Sequence, residues 1–178
     1  MAKRWMALVG AMVGMIVFAL PAHAAGTTTT FTLAAGSLSI SAPASSDLGS
    51  GSTGAGTVSA QLGNVTVTDT RGALLGTWTA SVSSTDFTTG GATANETIVN
   101  GQVTYWSGAA TATSGTATFT PGQLTSANAQ DLSAVRTAFS ASAIVGNDSA
   151  SWNPTVTINV PGAAVAGSYT GTITHSVA

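Results

Sequence analysis

Hydrolytic catalysis through a nucleophile needs a Ser, Thr or Cys beside a base, most often histidine. This chain of 178 residues has no cysteine, and its two histidines are His23 and His175. No Gly-x-Ser-x-Gly elbow occurs in it. His175 shares parity with Ile173 and Val177, so on a strand it points where they point. Its expected role is a half-buried imidazole bonded to a hydroxyl or to backbone. Glycoside hydrolysis needs two carboxylates flanking a cleft. Asp69, Asp86 and Asp148 stand beside Thr, Gly or Asn, where turn chemistry is the expected use. There is no Asp-x-Asp-x-Asp-Gly loop and no spaced His or Cys cluster, so neither a metal nor another cofactor is expected. The chain reads as non-enzymatic.

Aromatic side chains are the remaining candidates for contact with a ligand. Tyr105 and Trp106 are neighbours, and neighbours on a strand face opposite sides. Tyr105 has the parity of Val103, so Trp106 is expected to face out, where it can stack on a sugar or seat a partner. Trp78 and Trp152 share parity with apolar neighbours and are expected in the core. Three Asn-x-Ser/Thr triplets, at Asn64, Asn95 and Asn147, are expected by chance in so Thr-rich a chain.

The elements that must carry these residues are strands. Apolar and polar residues alternate from Val65 to Asp69 and from Thr77 to Ser83. Phe139, Ala141, Ala143 and Val145 fall on one parity, as do Val156, Ile158 and Val160, and Tyr169, Ile173, His175 and Val177. Thr on the opposite positions suits a pleated surface. Gly-rich and Pro-Gly breaks separate these runs: Gly49–Gly54, Gly90-Gly91, Pro121-Gly122 and Pro161-Gly162. Asn100-Gly101 reads as a hairpin turn pairing Ile98 with Val103 and Glu96 with Tyr105. A parity change predicts a bulge at Gly63-Asn64, and Pro154 predicts an edge strand or bulge. Ser126–Val135 carries at most one helical turn. Short strands without intervening helices predict an antiparallel β-sandwich, Ig-like or jelly-roll-like.

The N-terminus reads as a cleavable signal peptide over residues 1–24. Lys3 and Arg4 precede the apolar run Trp5–Leu20, and Ala22-His23-Ala24 is an A-x-A site. The run is shorter than a membrane span of about 20 residues. Residues 25–178 then form a single domain, with no membrane attachment after cleavage. That part keeps two arginines against six carboxylates. It has no basic footprint for nucleic acid.

Gly36–Gly49, Gly63–Gly72 followed by Gly76–Ser83, and Ala166–Val177 resemble, in order and spacing, three blocks of the WxL-type bacterial surface domains. The resemblance implies a secreted β-sandwich held non-covalently on peptidoglycan, outside the cell. The first Trp-x-Leu motif reads Trp78-Thr79-Ala80, and the second reads His175-Ser176-Val177. Trp78, Tyr169 and His175 are therefore the motif residues that carry over, with a structural role expected for each. Trp106 is the candidate contact for a ligand or partner. The resulting expectation is a secreted, cell-wall-associated binding domain without cofactor. The alternative is a structural or adhesin-type subunit that pairs sheet edges with other surface proteins. The Thr27–Thr30 run before Phe31 is its free strand, and the oligomeric state stays open.

Overall fold

The computed structural model describes residues 25–54 and 56–178; the expected signal peptide at 1–24 lies outside them. Residues 25–33 form neither helix nor strand, and Ala34–Ala178 is one compact unit, which holds all the strands described. Its strands are β1 (Leu38–Ser41), β2 (Gly56–Gln61), β3 (Val65–Ser84), β4 (Phe87–Thr88), β5 (Thr97–Ile98), β6 (Val103–Trp106), β7 (Ala110–Pro121), β8 (Gln130–Asp131), β9 (Arg136–Trp152), β10 (Thr155–Val160) and β11 (Ile173–Val177). The protein is all-β with antiparallel pairing in every ladder. One sheet runs β1-β3-β9-β7, with β11 also on β3. A second runs β2-β10-β6-β8, and β4-β5 is a small third.

The two larger sheets are continuous with each other. Gln61 pairs with Thr155 in one sheet, and four residues on Val65 pairs with Trp152 in the other. Leu62 N donates to the Pro154 carbonyl (2.9 Å) and Gly63 N to Asn153 Oδ1 (3.0 Å) between them. The third strand follows the same corner, with Trp106 opposite Thr155 and Ala110 opposite Trp152. A three-stranded ribbon thus folds over on itself, in β-sandwich-like fashion, and its inward side chains meet in one core. Val65, Val67, Trp78, Ala80 and Val82 come from β3. Phe139, Ala141, Ile144, Ala150 and Trp152 come from β9, and Val103, Tyr105, Val156 and Ile158 from the facing sheet. Phe139 stacks on Trp152, ring centroids 4.9 Å apart. Alternation in sequence becomes alternation in burial, since successive strand residues face opposite ways.

Four local expectations change. Asn100-Gly101 is not a hairpin turn: Asn100–Gln102 is a single 3-10 turn, and Ile98 pairs with Phe87. Asn100 is tied down instead, its N–H on Asp86 Oδ1 (2.7 Å) and its side-chain amide on the Ser84 carbonyl (3.2 Å). Both flanks of β6 belong to β10 and β8, so Tyr105 has no place for Glu96. Gly63-Asn64 is the sheet-switching link, with Gly63 at φ 94°, rather than a bulge inside a strand. Pro154 is buried at the matching link, ahead of the central strand β10. Finally, the β9 parity breaks at Ala143, whose φ is 53°. That residue turns Ile144 into the core and leaves Val145 exposed. The helical window Ser126–Val135 holds one turn, Ser126–Asn128.

Candidate functional site

A cleft among the described residues is built by segments far apart in sequence. Its apolar lining is Val58 of β2, Ile98 of β5 and Ile158 and Val160 of β10, joined by the exposed Val165 and by Tyr169 of the segment before β11. The loop Ser46–Thr53 forms its rim with hydroxyls, backbone groups and one charge, Asp47. The cavity is about 490 Å³, within the range of small-ligand sites, about 300–1,000 Å³. The Gly and Ser run from Gly49 to Ser52 has no side chain large enough to fill it. Asp47 Oδ1 accepts the Gly49 N–H (2.9 Å), an Asx turn that shapes the rim. Tyr169 is fixed from beneath. Its hydroxyl donates to the Val165 carbonyl (3.0 Å) and is shared with that of Asn95 (3.2 Å). The ring is therefore held as a half-buried wall of the cleft.

A smaller cavity of about 160 Å³ shares Ser46 and Leu48 with the cleft and is lined also by Val65, Phe87, Ile173 and His175. His175 belongs to a buried hydrogen-bond chain. Trp152 Nε1 donates to Tyr105 Oη (3.1 Å), and Tyr105 Oη lies 3.2 Å from His175 Nε2. An indole N–H only donates, so the phenol oxygen accepts from it, and the arrangement that leaves every group in the chain partnered has the phenol proton donated to His175. Nε2 is therefore the acceptor, and the imidazole is neutral with its proton on Nδ1. Burial agrees with this, lowering His175 to about 4 and raising the Tyr105 phenol. A His that is neutral and tied at Nε2 fills a structural place.

The carboxylates hold a larger departure from expectation. Asp148 is not a turn residue, and Asp69 is more than one: its Oδ1 accepts the Arg71 N–H (2.9 Å), an Asx turn, while the two acids face each other across the β3–β9 ladder and both are buried. Arg71 closes on Asp69 through Nε (2.9 Å) and a second guanidinium nitrogen (2.7 Å), which also reaches the Thr77 carbonyl (2.9 Å). That fork holds the Asp69 carboxyl below its ordinary range. Asp148 Oδ1 accepts Trp78 Nε1 (2.9 Å), while Oδ2 has no partner. Burial raises the Asp148 carboxyl, with the Asp69 charge adding to it. Neither acid lines the two cavities. The parity signal for both was present, since Asp69 continues Val65-Val67 and Asp148 precedes Ala150-Trp152. Asp86 does serve a turn, through Asn100.

The expected site residues are thus distributed. Tyr169 lines the cleft and His175 the smaller cavity. Trp78 is buried at 1 % exposure beside Asp148. Trp106 lies on the other side of β6 from the buried Tyr105, half-exposed, and lines neither cavity. The parity of Ile158 and Val160 marked them as strand residues, but nothing marked them, Ile98 or Val165 as sharing a cleft, because a lining drawn from β2, β5 and β10 exists only after folding. Both arginines among the described residues are used within the fold, Arg71 on Asp69 and Arg136 on Asp131 (3.2 Å). Among the described residues there is no group of three or more metal-ligating side chains and no helix long and apolar enough to cross a membrane. Comparisons with protein-family models, with curated proteins and with solved structures each returned no match.

Proposed function

We propose that this protein is a secreted, non-enzymatic cell-surface domain of Ig-like or jelly-roll-like sandwich form that associates non-covalently with peptidoglycan. The cleft beneath Ser46–Thr53 carries the proposal. It offers an apolar lining, an aromatic wall in Tyr169 and a rim of hydroxyls with a single carboxylate. The glycan strand of peptidoglycan, uncharged and bearing many hydroxyls and N-acetyl amides, matches that lining. Hydrogen bonds come from the rim and ring stacking from Tyr169. The signal-peptide pattern and the WxL-like blocks support export and a wall location.

Few charges mean little electrostatic steering, so binding should hold from low to high salt. The test is co-sedimentation of the secreted protein with peptidoglycan stripped of polymers and protein. Saturable binding is expected, weakened at least tenfold by Val165→Asp at the exposed side of the cleft lining. Trp106→Ala on the opposite side of β6 tests the other candidate contact. Failure to bind stripped peptidoglycan, or equal binding by Val165→Asp and wild type, overturns the cleft as a wall site.

A further inference from the structure

β7 is an open sheet edge. It pairs with β9 on one side and with nothing on the other among the described residues. It runs twelve residues, Ala110–Pro121, in a stretch from Thr97 to Gln130 with no charged side chain. Natural edges are normally guarded by lysine, bulges or covering loops. Here Gly115, at φ 82°, kinks the first half; the β7–β9 register shifts again between Thr116 and Thr118, where β9 carries the extra residue, and runs unbroken from Thr118 to Pro121. From Thr116 to Pro121, Ala117 and Phe119 face inward, half-buried against the core, and Thr116, Thr118 and Thr120 face out.

One segment of the chain carries the matching pattern. Residues 27–33 read Thr-Thr-Thr-Thr-Phe-Thr-Leu, also without charge. Phe31 and Leu33 are 86 % and 85 % exposed. In an antiparallel register with Phe31 opposite Phe119, Leu33 falls opposite Ala117, so both apolar side chains extend the core face. Thr32 and Thr30 then fall opposite Thr118 and Thr120 on the outer face, a threonine ladder of the kind that stabilises sheets. Neither strand brings a charge that the pairing would desolvate.

The segment cannot reach its own β7. Gly36 and Ser37 are fixed to Thr70 of β3 by backbone bonds of 3.0 and 2.8 Å. From Gly36 back to Leu33 the chain spans at most about 11 Å. A strand added beyond β7 lies four inter-strand spacings from β1, about 19 Å. We propose that Thr27–Leu33 of one copy adds as a strand to the Thr116–Pro121 edge of a second copy, so that the protein assembles head to tail.

The absence of cysteine allows a direct test on the secreted chain. A Thr32→Cys copy is mixed with a mass-tagged Thr118→Cys copy and mildly oxidised. The expected product is a disulfide-linked heterodimer, at least tenfold more abundant than with Ala117→Cys, which faces the other side. Sedimentation velocity of the unmodified chain should show mass rising with concentration, and Phe31→Asp, at an exposed position, should keep it monomeric while its circular dichroism stays native. Three results overturn the proposal: a monomer at every concentration, equal yields from the two cysteine pairs, or a disulfide within single chains of the Thr32→Cys/Thr118→Cys double variant. None of these readouts depends on wall binding.

Discussion

Trp78 joins the core to the buried acid pair, and removing its parts separately should give distinct losses. In Trp78→Phe an aromatic ring stays in the core, but the N–H that Asp148 accepts at 2.9 Å is gone. That indole is the only donor to the Asp148 carboxyl among the described residues, and Oδ2 is already unpartnered. Loss of a hydrogen bond to a buried charged group costs about 1.5–3 kcal/mol. Trp78→Ala adds a cavity, since the side chain is 1 % exposed. Large-to-small truncation of a tryptophan costs about 3–5 kcal/mol. The alanine variant should therefore lose about 5 kcal/mol, a large share of the ~5–15 kcal/mol typical of a domain. Urea unfolding at pH 7, followed by far-ultraviolet circular dichroism, measures both. A Trp78→Phe change smaller than about 0.5 kcal/mol, the range of an ordinary surface substitution, would refute the role given to the indole N–H. Asp148→Asn gives the cross-check. Its amide oxygen still accepts the indole, but no charge remains, so Trp78→Phe in that background should cost nearer ~1 kcal/mol. The pH sign follows too. The folded carboxyl is raised above its ordinary 3.8, so this group's contribution falls as pH rises from the unfolded to the folded value, and Asp148→Asn should abolish that fall.

Other outcomes follow from the same contacts. Tyr105→Phe strips the shared hydroxyl from Trp152 and His175 and should cost about 1–3 kcal/mol for the unpaired groups, read by urea unfolding. His175 is lowered from 6.5 to about 4, so the folded state favours the neutral ring. Stability from this group is complete above about pH 6.5 and is lost as pH falls toward 4. His175→Gln, whose side-chain oxygen can still accept from Tyr105, should flatten thermal stability across that window; an unchanged slope would contradict the buried neutral imidazole. Leu75 sits at φ 57° and is 73 % exposed. Leu75→Gly relieves a left-handed residue, worth about 1–2 kcal/mol, against a glycine entropy cost of about 0.5–1 kcal/mol. It should be neutral to slightly stabilising, and a loss above ~1 kcal/mol by urea unfolding would show that the side chain packs.

Sequence alone determined the strand class, most of the inward set and the burial of Trp78 and Trp152. Val65, Val67, Trp78, Ala80, Val82, Phe139, Trp152, Val156 and Ile158 are buried as their alternation requires, because a two-residue period has only two faces to choose from. It did not determine where that period breaks. Ala143 takes a positive φ without a glycine to announce it, and the ladder around it decides the matter by placing Ile144 in the core. Nor did it determine partners. Asn100-Gly101 has hairpin chemistry, yet its neighbours are claimed by Asp86 and Ser84 and by strands from elsewhere in the chain. Long-range pairing outweighs a local turn preference when both flanks of β6 are filled from β10 and β8. Asp69 and Asp148 show the same limit. Each carries an inward parity in its own strand, but their meeting depends on a register that joins residues 79 positions apart. The cleft is the extreme case, since Ser46–Thr53, Ile98, Ile158 and Tyr169 become neighbours only when the ribbon folds over at its corner. Local physics fixes which way a side chain faces; which side chains share a space is fixed by the non-local closure of the sheets.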